Sequence, residues 1–269
     1  MSHRLAARSV TLCYDSRTVS QDLSVAIPDG AFTVIIGANA CGKSTLLRAM
    51  SRLLAPRSGL ITLDGEQIGR LPAKQVAQKL GLLPQSATAP TGITVAELVA
   101  RGRYPHQTFF RQWSLADQLA VTNAMQATQV SALSDRMVDE LSGGQRQRVW
   151  IAMLLAQETP LLLLDEPTTY LDITHQIELL DLLSRLNGEG RTIVAVLHDL
   201  NQACRYASHL IAMKEGRIVA EGAPRDIVTE DLVFDILGLK SMIIEDPVSA
   251  TPLVVPKGQG ERSRIGTST

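Results

Sequence analysis

Nothing in this 269-residue sequence is long and apolar enough to cross a bilayer. Apolar runs such as LLLL at 161–164 and IAMLLA at 151–156 fall far short of the roughly 20 residues a helical span needs. The first ten residues, MSHRLAARSV, lack the apolar segment of a signal peptide, so the chain is expected to stay in the cytoplasm. Excess charge is missing too. The net charge is −1, with Lys and Arg spread along the chain, which excludes the basic footprint of a nucleic-acid binder. Cysteine is scarce. Cys13, Cys41 and Cys204 show neither paired nor metal-type spacing, which argues against a disulfide framework and suits a reducing compartment. No internal repeat is visible. What remains, 45% apolar and 20% charged residues, describes a globular protein with a proper core.

The pattern along the chain alternates strands with helices. Two strands are expected at about 4–12 and 18–27, then a turn at Asp29-Gly30. FTVII (32–36) is an apolar run without alternation, the mark of a buried central strand. A helix follows over 43–53, and Ser58-Gly59 leads into a strand that ends at Asp64-Gly65. From Val95 to about Gln157 the sequence reads as helical. LLLLD (161–165) and TIVAVL (192–197) are further buried strands, separated by the helical stretch THQIELLDLLSRL. HLIAMKEGRIVAEG reads as a hairpin turning at Glu215-Gly216. Such alternation implies a parallel sheet with crossovers. The expected organisation is one domain over 1–255, with a core of 1–94 and 158–255 and a helical subdomain of 95–157. The polar tail, 256–269, is expected to be disordered.

GANACGKST, Gly37 to Thr45, fits the phosphate-loop pattern G-x-x-x-x-G-K-[ST] between a strand and a helix. The backbone of Gly37, Ala38, Asn39, Ala40, Cys41, Gly42, Lys43, Ser44 and Thr45 would wrap the phosphates. Lys43 would reach the β/γ oxygens, and Ser44 would offer its hydroxyl to Mg²⁺. Asp165 ends the buried run LLLLD and would hold Mg²⁺ through water. Glu166 follows it as a general base for attacking water. His198 closes a third apolar strand and would contact the γ-phosphate. Gln85, in GLLPQS, carries little signal by pattern alone. Cys41 sits where a helix start favours thiolate chemistry, so alkylation there, slowed by Mg-ATP, is expected.

A second anion site poses a puzzle. LSGGQRQRVW, Leu141 to Trp150, runs a Ser-Gly-Gly turn into a helix, with Arg146 and Arg148 in its first turns. A helix start presents free N–H groups and a positive dipole end. One nucleotide does not need two such sites from one chain.

GANACGKST, Gln85, LSGGQ, LLLLDEPTTYLD and His198, in this order, resemble the ATP-binding subunits of ABC transporters over residues 4 to 255. ITVAELVARGRYPH, DEPTTYLDITHQ and HDLNQACRYASHLIAM look most like members serving ferric siderophores of the enterobactin and citrate type; haem and vitamin B12 importers are the alternative. The resemblance implies an α/β fold: a P-loop NTPase core (a RecA-like mixed sheet with flanking helices), an antiparallel β subdomain and an inserted α-helical subdomain. It implies ATP and Mg²⁺ as ligands and a head-to-tail homodimer. In that dimer Ser142, Gly143, Gly144 and Gln145 would meet the γ-phosphate bound by Lys43 of the partner subunit. Tyr14 would stack on adenine, although Cys13-Tyr14-Asp15 lacks the family's usual Tyr-Gly. Gln85 would touch Mg²⁺ and signal to the membrane subunit, and Asp172 would couple the two sites. Glu166, His198, Gln85 and Lys43 would form the catalytic set. Two integral-membrane permease subunits and a separate substrate-binding protein would complete an importer on the cytoplasmic face of the membrane, with no nucleic acid involved.

The loop departs from the family at Ala38, which replaces the usual proline, and at Ala40, where glycine is usual. If the backbone at Ala40 is left-handed, alanine costs about 1–2 kcal/mol. Three rival readings stay open at this point. A P-loop kinase leaves LSGGQ without a role. A DNA-associated ABC ATPase needs coiled-coil insertions that are missing. A nucleotide-binding module without turnover has no use for Glu166 and His198. A docking surface is expected after Gln85. Arg101, Arg103, Tyr104, Phe109, Phe110 and Trp113 crowd together there, although aromatics make up only 4% of the chain.

Overall fold

The computed structural model describes residues 3–108 and 113–258. Two long strands open the chain, β1 (His3–Tyr14) and β2 (Arg17–Pro28), each longer than the sequence suggested. After the turn at Gly30 come β3 (Phe32–Gly37) and α1 (Lys43–Met50). Next are β4 (Ser58–Leu63), the short β5 (Glu66–Gln67), α2 (Ala73–Lys79) and β6 (Leu80–Leu83). The helical stretch that follows is not continuous. It comprises α3 (Val95–Ala100), a 3₁₀ turn over Arg101–His106, α4 (Leu115–Ala127) and α5 (Gly143–Ala156). Each of the three helices begins with a capping box: Thr94 with Glu97, Ser114 with Asp117, and Ser142 with Gln145. These local signals divide the segment. Gly102 shows why the 3₁₀ turn can lie so close to α5, because a Cβ there would stand 2.2 Å from the Met153 carbonyl oxygen.

The remainder is β7 (Leu161–Asp165), α6 (Ile173–Gly188), β8 (Thr192–Val196), α7 (Leu200–Tyr206), β9 (His209–Lys214) and β10 (Arg217–Gly222). α8 (Pro224–Ile227), α9 (Glu230–Leu237) and the hairpin β11 (Ser241–Glu245) and β12 (Pro252–Pro256) close the described chain. The residues from 259 on, most of the tail expected to be disordered, lie outside the described residues.

Two larger sheets result, as the fold class required. The main sheet has the order β10-β9-β3-β8-β7-β6, parallel except for the β9–β10 hairpin. The antiparallel sheet has the order β2-β1-β4-β5. β3, β7 and β8 are buried along their whole length, as their unalternated apolar sequences require of strands covered on both faces. Their residues still divide by pleat. Val34, Leu162, Leu164, Ile193 and Ala195 enter the core shared with α5, α6 and α7. Ile35, Leu161, Leu163, Val194 and Val196 enter the other core, under α1 and the antiparallel sheet.

The crowded segment after Gln85 is only partly surface. Arg103 is 4% exposed. Its guanidinium pairs with Asp117 at 2.8 Å and Glu158 at 2.7 Å, and it donates to the Ala156 carbonyl at 2.7 Å. It therefore ties the 3₁₀ turn to the start of α4 and the end of α5, which corrects the expectation of a docking arginine. Removing one member of a buried pair strands the other. Arg103→Met is expected to destabilise the protein by about 3 kcal/mol, read from the urea midpoint; an unchanged midpoint would show that the pair is not structural. Tyr104 and Trp113 are exposed and line a separate cleft with Arg101 and Glu97. Phe109 and Phe110 lie outside the described residues.

Candidate nucleotide-binding site

β3 delivers the chain to Gly37, and the loop then folds back over the strand end before α1 begins. At Gly37 a Cβ would stand 2.2 Å from the Met213 carbonyl oxygen on β9, so only glycine fits. Ala40 has φ +60°, so the left-handed backbone is kept and the alanine carries its strain. Gly42 is the N-cap of α1, also left-handed at φ +107°, and no side chain caps this helix. The first-turn N–H groups thus have no side-chain acceptor, the arrangement that suits an anion. Lys43 is 5% exposed and donates to the carbonyls of Gly37 and Ala38, at 2.9 Å each. The ammonium spans the loop from inside, satisfied by backbone oxygens that a phosphate can replace.

The neighbouring strands supply the rest. β8, β7 and β6 lie side by side in register, and ligands of open α/β sheets sit beyond such carboxyl ends. Asp165 ends β7 and is 4% exposed. Burial holds its carboxyl above the ordinary range, although the Ser44 hydroxyl, donating at 2.8 Å, opposes this. Two hard oxygen donors face each other there, the Ser44 hydroxyl and the desolvated Asp165 carboxyl. That donor set fits Mg²⁺, which takes one or two protein oxygens and completes its shell with phosphate and water.

Glu166 follows with φ +53°, an uncommon backbone for a non-glycine residue. Its two oxygens are both engaged. Oε1 lies 2.7 Å from His198 Nε2, and Oε2 accepts from Gln85 Nε2 at 2.8 Å. The strand β6, which the sequence reading missed, is what carries Gln85 here. A cleft of about 510 Å3 brings together Tyr14, the loop from Asn39 to Thr45 apart from Cys41, Gln85, Glu166 and His198. Tyr14 is 39% exposed at the end of β1, with the Arg48 guanidinium 5.8 Å from its ring centre. Arg17, Thr18 and Val19 of β2 also line this cleft, and sequence reasoning named none of them. Cys41 departs from expectation. It is 5% exposed and belongs to the core beneath the loop, so its thiol is shielded from an alkylating reagent.

The LSGGQ stretch lies elsewhere. Ser142, Gly143, Gly144 and Gln145 do not line the phosphate-loop cleft. Ser142 caps α5: its hydroxyl accepts from the Gln145 N–H at 3.3 Å, and its own N–H donates to Gln145 Oε1 at 3.1 Å. Gly143 faces a second cleft, of about 270 Å3, with Gln85, Gln147, Trp150 and Tyr170. Arg146 donates to the carbonyls of Asp139 and Leu141. Asp172 caps α6; the backbone N–H and ring of His175 hold its carboxyl below the ordinary range.

Among the described residues no helix is long and apolar enough to cross a membrane. Residues 20–169 match the family described as ABC transporter. The chain is 63% identical over 257 residues to the ferric enterobactin transport ATP-binding protein FepC of Escherichia coli, covering 95% of each. It is 51% identical over 265 residues to the petrobactin import ATP-binding protein FpuD of Bacillus anthracis, covering 98% of this chain and 97% of that one. Among solved structures it is similar to a dimeric bacterial ABC transporter cassette, with TM-score 0.74 and 27% identity, covering 81% of this chain and 98% of that one. The same cassette in a post-hydrolysis state bound to ADP and Pi aligns with TM-score 0.72, 27% identity and the same coverage.

Proposed function

The chain belongs to the ABC transporter family, and from that premise we propose that it is the ATP-hydrolysing subunit of an importer that takes up an iron–siderophore complex. The observation that carries this reading is the likeness, along nearly the whole chain, to transport ATP-binding proteins for ferric enterobactin and petrobactin. The convergence of Gln85, Glu166 and His198 beside the phosphate loop supports turnover rather than binding alone.

Each residue has a physical task in this reading. The loop N–H groups and Lys43 hold the phosphates, and Tyr14 offers a ring for the base. Ser44 and Asp165 would hold Mg²⁺, which would supply charge neutralisation at the phosphates when bound. Glu166 accepts the proton of the attacking water. Gln85 and His198 fix its two oxygens in one orientation, and His198 also offers a contact to the γ-phosphate. Ser142 to Gln145 lie outside their own chain's cleft, so a second copy brings its LSGGQ helix start to the nucleotide. ATP then holds two chains together and hydrolysis releases them, a two-state element biased by the γ-phosphate. Asp172 lies on the loop that joins the two sites.

Two permease subunits and a separate binding protein complete the importer on the cytoplasmic face of the membrane. The permease docks at the cleft lined by Arg101, Tyr104 and Trp113, an exposed set of the aromatic and arginine anchors common at interfaces. The test is uptake of radiolabelled iron as a ferric–catecholate siderophore in cells lacking this chain. Wild-type protein should restore uptake and Lys43→Ala should not. Normal uptake without the chain would remove siderophore import from its function.

A further inference from the structure

The turn from Glu166 to Asp172 presents backbone carbonyls that glutamines from two helices hold. Gln147 on α5 donates to Pro167 O at 3.0 Å. Gln176, in the first turn of α6, donates through Nε2 to Leu171 O at 3.0 Å and Thr168 O at 3.4 Å. A third glutamine stands behind the second: Gln202 on α7 donates through Nε2 to Gln176 Oε1 at 2.9 Å. α7 starts directly after His198, and the Asp199 carboxylate caps it by accepting from the N–H groups of Asn201 and Gln202.

The polarity of this chain is set, not arbitrary. Two carbonyls can only accept, so the Gln176 amide must turn its NH₂ toward them and its oxygen toward Gln202. Gln202 must then present its own NH₂. Gln202 is 7% exposed, and Ala203 and Cys204, which follow it in α7, are fully buried. A buried amide costs free energy unless it is bonded, and leucine would pack two helices at lower cost. Glu166 is thereby gripped twice: His198 holds its side chain, and the turn that follows it is held by Gln176.

We propose that Gln176 and Gln202 are positioning residues that tie the His198 loop to the turn carrying Asp172, so that both loops move as one around Glu166. The inference rests on the ATPase reading above. It predicts that breaking the Gln176–Gln202 bond misplaces the general base without weakening nucleotide capture, which the phosphate loop performs on its own.

The test uses the purified full chain and the variants Gln176→Leu, Gln202→Leu, their double and Gln202→Glu. Leucine preserves helix packing. Glutamate can only accept, so it draws the Gln176 NH₂ away from the turn and faces the amide oxygen against two carbonyls. Each single variant should lose roughly tenfold or more in kcat, the scale of a small misplacement of reacting groups. KM for ATP and nucleotide affinity should stay within about twofold. The double leucine variant should be no slower than Gln176→Leu, because that single already lacks the Gln176–Gln202 bond. Wild-type kcat in the singles, additive losses in the double, or losses that track a fall in melting temperature would each overturn the relay. Wild-type turnover and Glu166→Gln are the controls. A wild-type chain that does not hydrolyse ATP fails the ATPase reading, and hydrolysis that survives in Glu166→Gln removes the general base the relay would position. Each outcome is distinct from failure of the Gln176–Gln202 bond to matter.

Discussion

Glu166→Gln is expected to lower steady-state ATP turnover by roughly two to four decades, the range of general acid–base catalysis, while nucleotide still binds. The substitution keeps the side chain's volume and removes its basic oxygen. In the wild-type site both oxygens take donors, from His198 at 2.7 Å and Gln85 at 2.8 Å. A glutamine amide can accept one donor and must present NH₂ to the other. Gln85 can answer by turning its own amide, so the pocket keeps its shape while losing its proton acceptor. With ATP bound and not consumed, the γ-phosphate bias persists and the paired state should accumulate. Phosphate release and gel filtration with Mg-ATP check both parts. Turnover near wild type would remove Glu166 from the mechanism.

Ser142→Arg should abolish turnover and ATP-driven pairing while nucleotide affinity of the isolated subunit stays within about twofold, since uniform binding resides in the phosphate loop. In one chain Ser142 caps α5 and stands apart from the phosphate-loop cleft. Losing the cap costs about 1 kcal/mol of stability, too little to unfold the protein. Ser142→Ala shares that loss without adding bulk and so isolates the steric part. Nucleotide titration of the monomer and light scattering with ATP report on the two halves. A many-fold loss of monomer affinity would mean that LSGGQ and the phosphate loop serve one site in cis.

Much of this arrangement is legible in the sequence because its causes are local. FTVII, LLLLD and TIVAV are apolar without alternation, and only strands covered on both faces tolerate that pattern. The phosphate loop is encoded by contiguous residues between a strand and a helix. Where partners are distant, sequence signals fail. Arg103 looks like an interface arginine among aromatics, but its carboxylates stand 14 and 55 residues away, at Asp117 and Glu158. The inward turn of Cys41 depends on β9 packing beneath the loop, which no neighbour in sequence announces. Arg17, Thr18 and Val19 line the phosphate-loop cleft from a strand whose exposed positions carry no motif. The break of the 95–157 segment was written in its capping boxes, Thr94 with Glu97 and Ser114 with Asp117, and was masked by the helical periodicity around them.

Gln85, Glu166 and His198 come just beyond the ends of three adjacent parallel strands. Backbone hydrogen bonding keeps neighbouring strands about 4.8 Å apart whatever side chains they bear. The lateral spacing of the three groups is therefore ruled by a pitch that amino-acid substitution cannot retune. Volume changes in either core press on side chains and shift helices, but they leave that pitch alone. Drift in the sequence can thus rework the packing layer by layer while these three side chains stay in gauge.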